Sequence, residues 1–138
     1  MAQLSPFFST HDVSFPYDVT GGMAGSGTIV LGQLPANATI TQAWIHVITT
    51  FTSVTDAATI ALGYTGTTGA FDAAIAISNG GNPWDNAAPR VSDVAADGLV
   101  ANFVEVGTTS LNVLATIAGG ETITAGKLLL VIKYYIGA

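Results

Sequence analysis

Hydrophobic and polar residues alternate along most of this chain, and the alternation predicts β-strands in preference to helices. The clearest example runs from Asn37 to Tyr64. In its first half, four apolar residues share one face of a predicted strand: Ala43, Ile45, Val47 and Phe51. Its second half, from Ala58 to Tyr64, alternates again and predicts a second strand that is antiparallel to the first. One face of the first strand therefore belongs to a core.

The opposite face of that strand carries an unusual mixture of side chains. It presents Trp44, His46 and Ile48 beside Gln42 and Thr50. This face is too apolar for a freely solvated sheet, and it suits a surface that another layer or another chain covers. We therefore predict that Trp44, His46 and Ile48 are protein-interface residues. Since His46 lies in no HxH or HExxH arrangement, a packing role is favoured over metal ligation or proton transfer.

Six further segments read as strands, and the turns between them contain Gly, Asn or Pro. They are His11 to Val19, Thr28 to Leu34, Phe71 to Ile77, Leu99 to Val106, Leu111 to Ala118 and Lys127 to Ile136. Pro16 restricts the first of them to a sheet edge or a bulge. The last is apolar on both faces, so it is expected at a sheet centre or in an interface, and its Tyr134 is assigned to the interface set. The sequence predicts an all-β, single-domain β-sandwich of jelly-roll type over residues 11–138.

Residues 1–10 precede this domain and show no period. They contain Leu4, Pro6, Phe7 and Phe8 and no charged side chain. Such a segment is too apolar to remain solvated, and it predicts an extended N-terminal arm that docks on another chain by strand addition or by inserting its aromatic rings. Leu4, Phe7 and Phe8 are the expected anchors. The alternative is that the arm packs back on its own domain.

The segment from Ser78 to Arg90 reads as a long loop rich in Asn, Gly and Pro. Its Trp84 is the best candidate for a surface contact, and a protein neighbour is favoured over a sugar ring. A calcium site built from Asn82, Asp85 and Asn86 is a weaker alternative, because no EF-hand spacing is present.

Charge is scarce in this chain of 138 residues. Three basic and nine acidic residues make up 9% of the sequence, where roughly 25% is usual for soluble domains. So low a charge, with 49% hydrophobic residues, indicates that much of the surface is hidden in permanent contacts. The only cations are Arg90, Lys127 and Lys133, too few for direct binding of nucleic acid.

The sequence also disfavours membrane proteins, secreted proteins and thiol enzymes. No apolar run approaches the roughly 18 residues needed to span a bilayer, so no membrane partner is expected. The first residues show no basic region before an apolar core, so we expect no secretory signal. The chain has no cysteine, which excludes thiol chemistry and fits assembly in a reducing cytoplasm.

No catalytic pattern is present either. The glycine-rich loop from Gly21 to Gly27 is not followed by GKS or GKT, so it reads as a turn. His11 and Asp12 lie near Ser9 and Ser14, but no GxSxG nucleophile elbow accompanies them. We expect no enzymatic activity, no cofactor and no metal.

Three stretches of the chain carry a resemblance. They are LPANATITQAWIHVITTFTSVTDAATIALGYTG, AISNGGNPWD and AGGETITAGKLLLVIKYYIGA. They resemble small virion proteins of tailed bacteriophages, particularly capsid decoration (cement) proteins. The resemblance implies a β-rich, non-enzymatic structural protein that is assembled in the host cytoplasm.

On this resemblance, the protein sits on the outer capsid surface as a homo-oligomer, with a trimer favoured. It reinforces joints between copies of its partner, the major capsid protein. The resemblance carries no catalytic residues. A phage tail or head-fibre component remains an alternative, as does a carbohydrate-binding β-sandwich module that uses Trp84.

Overall fold

The computed structural model of the chain describes residues 8–91 and 104–137, and it places strands and connecting loops there. The nine strands are β1 Phe8–Asp18, β2 Gly27–Leu34, β3 Ala38–Thr52, β4 Thr59–Tyr64, β5 Thr67–Ala76, β6 Arg90–Val91, β7 Val104–Glu105, β8 Leu111–Ala118 and β9 Ala125–Gly137. Within these ranges no helix is long and apolar enough to cross a membrane. The all-β prediction is confirmed.

The strands form two antiparallel sheets. The first sheet has the order β1, β9, β3, with the short strands β6 and β7 both paired along the remaining edge of β3. The second sheet has the order β2, β8, β4, β5. The chain crosses from one sheet to the other at most of its connections. In the first sheet, β9 lies between β1 and β3. This is the strand order of a jelly roll, which confirms the predicted architecture.

The core lies between the two sheets and follows the predicted alternation. Ile45 on β3 lies opposite Leu130 on β9 in the first sheet, and Ile60 on β4 lies opposite Ile117 on β8 in the second. All four side chains are buried. Burial of these apolar faces is the main contribution to the stability of such a sandwich.

The predicted pairing of the two strands between Asn37 and Tyr64 is wrong. β3 belongs to the first sheet and β4 to the second, so the two strands are not hydrogen-bonded neighbours. The residues between them, 53–58, carry the chain across the end of the sandwich. Alternation reports which face of a strand is buried but not which strand pairs with it, and consecutive strands can therefore lie in different layers.

Two predictions about strand position are confirmed. β9 is apolar on both faces and lies inside its sheet, whereas β1, which contains Pro16, lies at an edge. β1 begins at Phe8 and not at His11, because Phe8 pairs with Gly137 and Thr10 with Tyr135. The described strand therefore starts three residues earlier than the predicted one. Leu4 and Phe7 lie outside the described residues, as does most of the strand predicted from Leu99 to Val106.

Candidate functional site

The outward surface of the first sheet is the candidate functional site. Alternation along β3 and β9 turns several side chains away from the core. Five of them form the set that we call the outer apolar face: Trp44, His46, Ile48, Leu129 and Val131. Ile48 is exposed and the other four are half-buried. The structure thus brings together the three interface residues predicted on β3 and adds two from β9, which lie more than 80 residues further along the chain.

Strand register arranges the outer apolar face in two rows across the sheet. Val131 lies between Ser14 of β1 and Trp44 of β3. Leu129 lies in the same way between Pro16 and His46. Because neighbouring strands are about 4.8 Å apart, the side chains of each row are close enough to form one continuous surface.

Charged groups border this face and do not interrupt it. The ammonium of Lys133 lies 5.4 Å from the centroid of the Trp44 ring, which is cation–π distance. At the other end of β9, Lys127 Nζ lies 3.5 Å from Asp18 Oδ2. An apolar centre with a charged rim is the usual anatomy of a protein–protein contact. That a second layer or subunit covers Trp44, His46 and Ile48 stays a prediction.

Trp84 is not a surface residue, and its assignment to an interface is corrected. Its side chain is fully buried. The indole makes an edge contact with Phe51, with ring centroids 6.5 Å apart, and Phe51 in turn stacks on Tyr17 at 5.7 Å. The loop folds inward because the large ring gains more from burial than the surrounding polar residues lose. Trp84 is therefore unavailable to a sugar or a partner protein.

Tyr134 is likewise misassigned. Only 7% of it is exposed, and it belongs to the core cluster. Its ring stacks on His11 of the neighbouring edge strand with a centroid separation of 5.2 Å. The neighbouring Tyr135 takes the outward position on β9, as alternation requires, and is half-buried.

The polar groups proposed for calcium are used in hydrogen bonds within their own loop and to β3. Asn82 Oδ1 accepts a hydrogen bond from the Trp84 amide at 2.8 Å, and Asn82 Nδ2 donates to Asp85 Oδ2 at 3.4 Å. Asn86 Nδ2 donates to the carbonyl of Ile48, which pins the loop to β3. Among the residues that the structure describes, no cluster of three or more His, Asp or Glu could hold a metal ion. These groups act as loop supports.

Four loops meet at one end of the sandwich, which we call the loop end. They join β1 to β2 (19–26), β3 to β4 (53–58), β5 to β6 (77–89) and β8 to β9 (119–124). Backbone bonds tie them together. The Ile123 amide donates to the Gly25 carbonyl at 2.7 Å, and the Ser78 amide donates to the Asp56 carbonyl at 2.6 Å. The first bond joins the loop 119–124 to the loop 19–26, and the second joins the loop 77–89 to the loop 53–58.

Glu121 is the strongest polar anchor of the loop end, and sequence reasoning missed it. Its carboxylate accepts hydrogen bonds from Ser53 Oγ at 2.5 Å, Thr55 Oγ1 at 2.5 Å, the Thr55 amide at 3.1 Å and the Ala57 amide at 3.2 Å. The bond from Ser53, followed by those from Thr55, lowers the pKa of this carboxyl from 4.5 to about 2. No local motif signals it, because its partners lie 64 to 68 residues away.

A polar cleft of about 400 Å³ lies at the opposite end of the first sheet. It is lined by Asn37, Thr39, Glu105, Thr108 and Tyr135 among others. The cleft adjoins the first residues of β1, since Thr10 pairs with Tyr135. It brings together one carboxylate and several hydroxyl groups without a nucleophile–base pair, so it offers no recognisable catalytic arrangement.

Comparison with known proteins gives structural neighbours only. The sequence matches no protein-family model and no curated protein. A chain in the capsid asymmetric unit of cyanophage Pam1 superposes with a TM-score of 0.63 at 16% identity, covering 94% of this chain and 86% of that one.

Two further capsid structures contain similar chains. A chain in the capsid of Ralstonia phage GP4 gives a TM-score of 0.62 at 20% identity, with 94% and 85% covered. One in the acid-stable capsid of Helicobacter pylori bacteriophage KHP30 gives 0.60 at 13% identity, with 95% and 94% covered. At these identities the likeness shows that this chain shares the fold of chains found in three phage capsids.

Proposed function

We propose that this chain is a non-enzymatic structural protein of a bacteriophage virion. Within the virion it acts as a capsid decoration (cement) protein, binding the outer capsid surface and stabilising contacts between major capsid proteins. The observation that carries the proposal is the match of 94% or more of the chain to chains in three phage capsid structures. The resemblance of the sequence to decoration proteins supports the finer role.

The outer apolar face supports an assembled state. Trp44 and Val131 form the centre of a surface whose charges lie at its border, and only 9% of the whole chain is charged. A permanent contact buries such a surface at little desolvation cost. We propose that the face joins copies of this chain in a homo-oligomer, with a trimer as the expected form.

The N-terminal arm supplies a second proposed contact. Leu4 and Phe7 are apolar anchors in an uncharged segment, and β1, which continues it, lies at a sheet edge. An arm that leaves an edge strand is well placed to extend onto the major capsid protein or an adjacent subunit. Phe8 belongs to β1, so it marks the root of the arm.

The alternative functions are not equally well supported. A carbohydrate-binding module loses its proposed stacking platform because Trp84 is fully buried. A tail or head-fibre component would share the fold but would be present in fewer copies than a decoration protein. A subunit of the shell would also share the fold, but the shell could not form without it. These differences define the decisive experiment.

The experiment compares particles made with and without the gene for this chain. A decoration protein is present in hundreds of copies per particle, and particles still form without it but open at a lower temperature. Quantitative gels and thermal light scattering measure both properties. Only a few copies per particle would favour a tail or fibre component. Failure of shells to form without the gene would favour a shell subunit.

A further inference from the structure

The polar cleft at the end of the first sheet is built around Glu105. Glu105 of β7 lies opposite Thr39 of β3, and Thr39 lies opposite Tyr135 of β9, so the three form one row across the sheet. We call the cavity of about 400 Å³ beside this row the Glu105 cleft, and it is lined chiefly by Asn37, Thr39, Glu105, Gly107, Thr108 and Tyr135. Pockets that hold a small organic group span roughly 300–1,000 Å³.

The carboxylate of Glu105 has unused hydrogen-bonding capacity. It is exposed, and it makes no hydrogen bond or ion pair with another residue that the structure describes. Asp12 is a second exposed carboxylate of this kind, but it lies on β1 and outside the cleft. Other carboxylates have partners: Asp18 pairs with Lys127, Asp56 with the Ser53 amide, Asp85 with Asn82 and Glu121 with Ser53. Glu105 is therefore an unpaired acceptor inside a cavity.

The chemistry of the lining favours a cationic group with several donors. It combines the Glu105 carboxylate with hydroxyl and amide groups, and the described residues that line the cleft include no basic side chain. An anion would meet Glu105 without a compensating charge. A metal ion is disfavoured, because no cluster of three or more His, Asp or Glu occurs in the described ranges. A guanidinium fits, since its planar fork binds a carboxylate through two donors and keeps others for neighbouring oxygens.

Backbone hydrogen bonds hold the walls of the cleft. The Asn37 amide donates to the Gly107 carbonyl at 2.7 Å, and the Val106 amide donates to the Ala38 carbonyl at 2.9 Å. These bonds tie the turn before β3 to the segment after β7. Asn37 and Gly107 both have a positive φ, +64° and +90°, which these two residue types adopt more readily than others. Acceptors on walls held in this way need little ordering when a partner binds.

The position of the cleft indicates which partner it meets. β1 begins at Phe8 opposite Gly137, two residues beyond the row that contains Tyr135, so the N-terminal arm departs from this end of the sandwich. A protein that receives the arm lies close to the cleft as well. The chain also carries a net charge of −6, which attracts a partner whose surface presents basic side chains.

We propose that the Glu105 cleft receives an arginine side chain of the major capsid protein, with the guanidinium paired to the Glu105 carboxylate. The proposal rests on the proposed function and names a contact that performs it. The hydroxyl groups of Thr39 and Thr108 supply further acceptors. The cleft and the root of the arm then form one docking end, whereas the outer apolar face lies further along the sheet, beyond Lys133, and joins copies to one another.

The first test measures binding of purified protein to particles that lack it, over a range of salt concentrations. Glu105→Gln keeps the shape of the side chain and removes its charge, so it should bind about tenfold more weakly at low salt, and the difference should narrow as salt is added. Asp85→Asn is the matched control, since it removes the charge of an exposed carboxylate at the loop end, and it should bind like the wild type. Neither variant should change the melting temperature, because both side chains are exposed.

The second test identifies the partner group by chemical modification of the particles. Phenylglyoxal, which modifies arginine, should bring the binding of the wild type and of Glu105→Gln to the same level, because the partner of the carboxylate is then blocked. Acetylation of lysine on the particles should leave the ratio between the two proteins unchanged. A ratio that survives phenylglyoxal, or that acetylation removes, would overturn the assignment to arginine.

The remaining outcomes separate this contact from the proposed function. If the wild type binds and Glu105→Gln binds equally well, the cleft is not a docking contact and the decoration role still stands. If Glu105→Gln changes the oligomeric state in light scattering, the cleft joins copies, and the docking role is overturned. If the wild type itself does not bind the particles, the decoration role fails and the docking role fails with it.

Discussion

The indole Nε1 of Trp84 donates a hydrogen bond to the backbone carbonyl of Ile75, at a distance of 3.0 Å. This bond joins the middle of the loop between β5 and β6 to the strand that precedes the loop. The Phe51 amide completes the attachment by donating to the carbonyl of Trp84 at 3.1 Å. Trp84 therefore holds the longest described loop against the core, and its loss should affect the whole loop end.

We predict that Trp84→Ala lowers the free energy of unfolding by about 3 to 5 kcal/mol, because it removes a large buried ring. Trp84→Phe should cost about 1 to 3 kcal/mol, since it keeps most of the packing and leaves the carbonyl of Ile75 without this donor. Urea denaturation followed by circular dichroism measures both. Ala88→Ser, an exposed change in the same loop, is the control. A loss below about 0.5 kcal/mol for Trp84→Ala would contradict the burial of Trp84.

Glu121 makes the stability depend on pH in a defined window. Its pKa is lowered from 4.5 to about 2 in the folded chain, mainly by the hydrogen bond from Ser53 and then by those from Thr55. A lowered pKa means that the ionised carboxyl favours the folded state. Its contribution is fully present above pH 4.5 and is lost as the pH falls from there to about 2.

The measurement is the melting temperature of wild type and Glu121→Gln between pH 7 and pH 2. Glu121→Gln should be less stable than the wild type at pH 7, and the difference should shrink as the pH falls through the window. Glu105→Gln, which removes an exposed carboxyl at the opposite end of the sandwich, serves as the control. Parallel curves for wild type and Glu121→Gln would refute the role of the carboxylate.

Trp44 tests the proposed contact between copies. Trp44→Ala should shift the oligomer towards monomer and leave the fold intact, because the ring is only half-buried in a single chain. Full burial of the ring in the assembly predicts a loss of about 3 to 5 kcal/mol in the assembled state. Multi-angle light scattering across micromolar concentrations measures the shift, with Val30→Ala on the second sheet as the control. A wild type that is monomeric throughout would count against the interface.

The N-terminal arm is tested by a deletion whose end is set by the structure. Because Phe8 to Thr10 pair with β9, removal of residues 2–7 keeps every described residue of β1, whereas removal of residues 2–10 also cuts into β1. The shorter deletion should keep its melting temperature within about 2 °C and should weaken binding to particles or to neighbouring copies. Replacement of Leu4 and Phe7 by Ser is the matched variant at full length. Unfolding, or unchanged binding and assembly, would show that the arm is not a tether.

Sequence periodicity correctly predicted which side chains of a strand face the core. Alternation placed Ile45 inward and Trp44 outward, and it gave the bounds of Leu111 to Ala118 as observed. It failed on strand partners, since β3 and β4 alternate equally well whether they are paired or lie in separate layers. The jelly-roll prediction succeeded because strand number, spacing and turn composition restrict the architecture more than they restrict individual pairs.

The residues of the loop end were beyond this kind of reasoning. A tryptophan in a polar loop reads as exposed, and only the folded chain shows that Trp84 reaches Ile75 nine residues away. Glu121 follows two glycines and looks like an ordinary turn residue, because the donors that define it come from a loop that is distant in sequence. Contacts of this kind depend on topology and leave no local pattern.

The place of β9 between β1 and β3 has a consequence for how the chain folds as it is synthesised. β9 leaves the ribosome after both of them and pairs with both, and along β1 the pairing runs from Phe8 opposite Gly137 to Asp18 opposite Lys127. Among the strands that the structure describes, β9 is the one that pairs with β1, so until β9 emerges β1 is unpaired and the first sheet lacks its middle. Native pairing of the first sheet therefore waits until β9 has been synthesised, the mean sequence separation of contacts is large, and folding is expected to be slow for a domain of this size. Newly made chains must keep their apolar strands from pairing with one another during that interval.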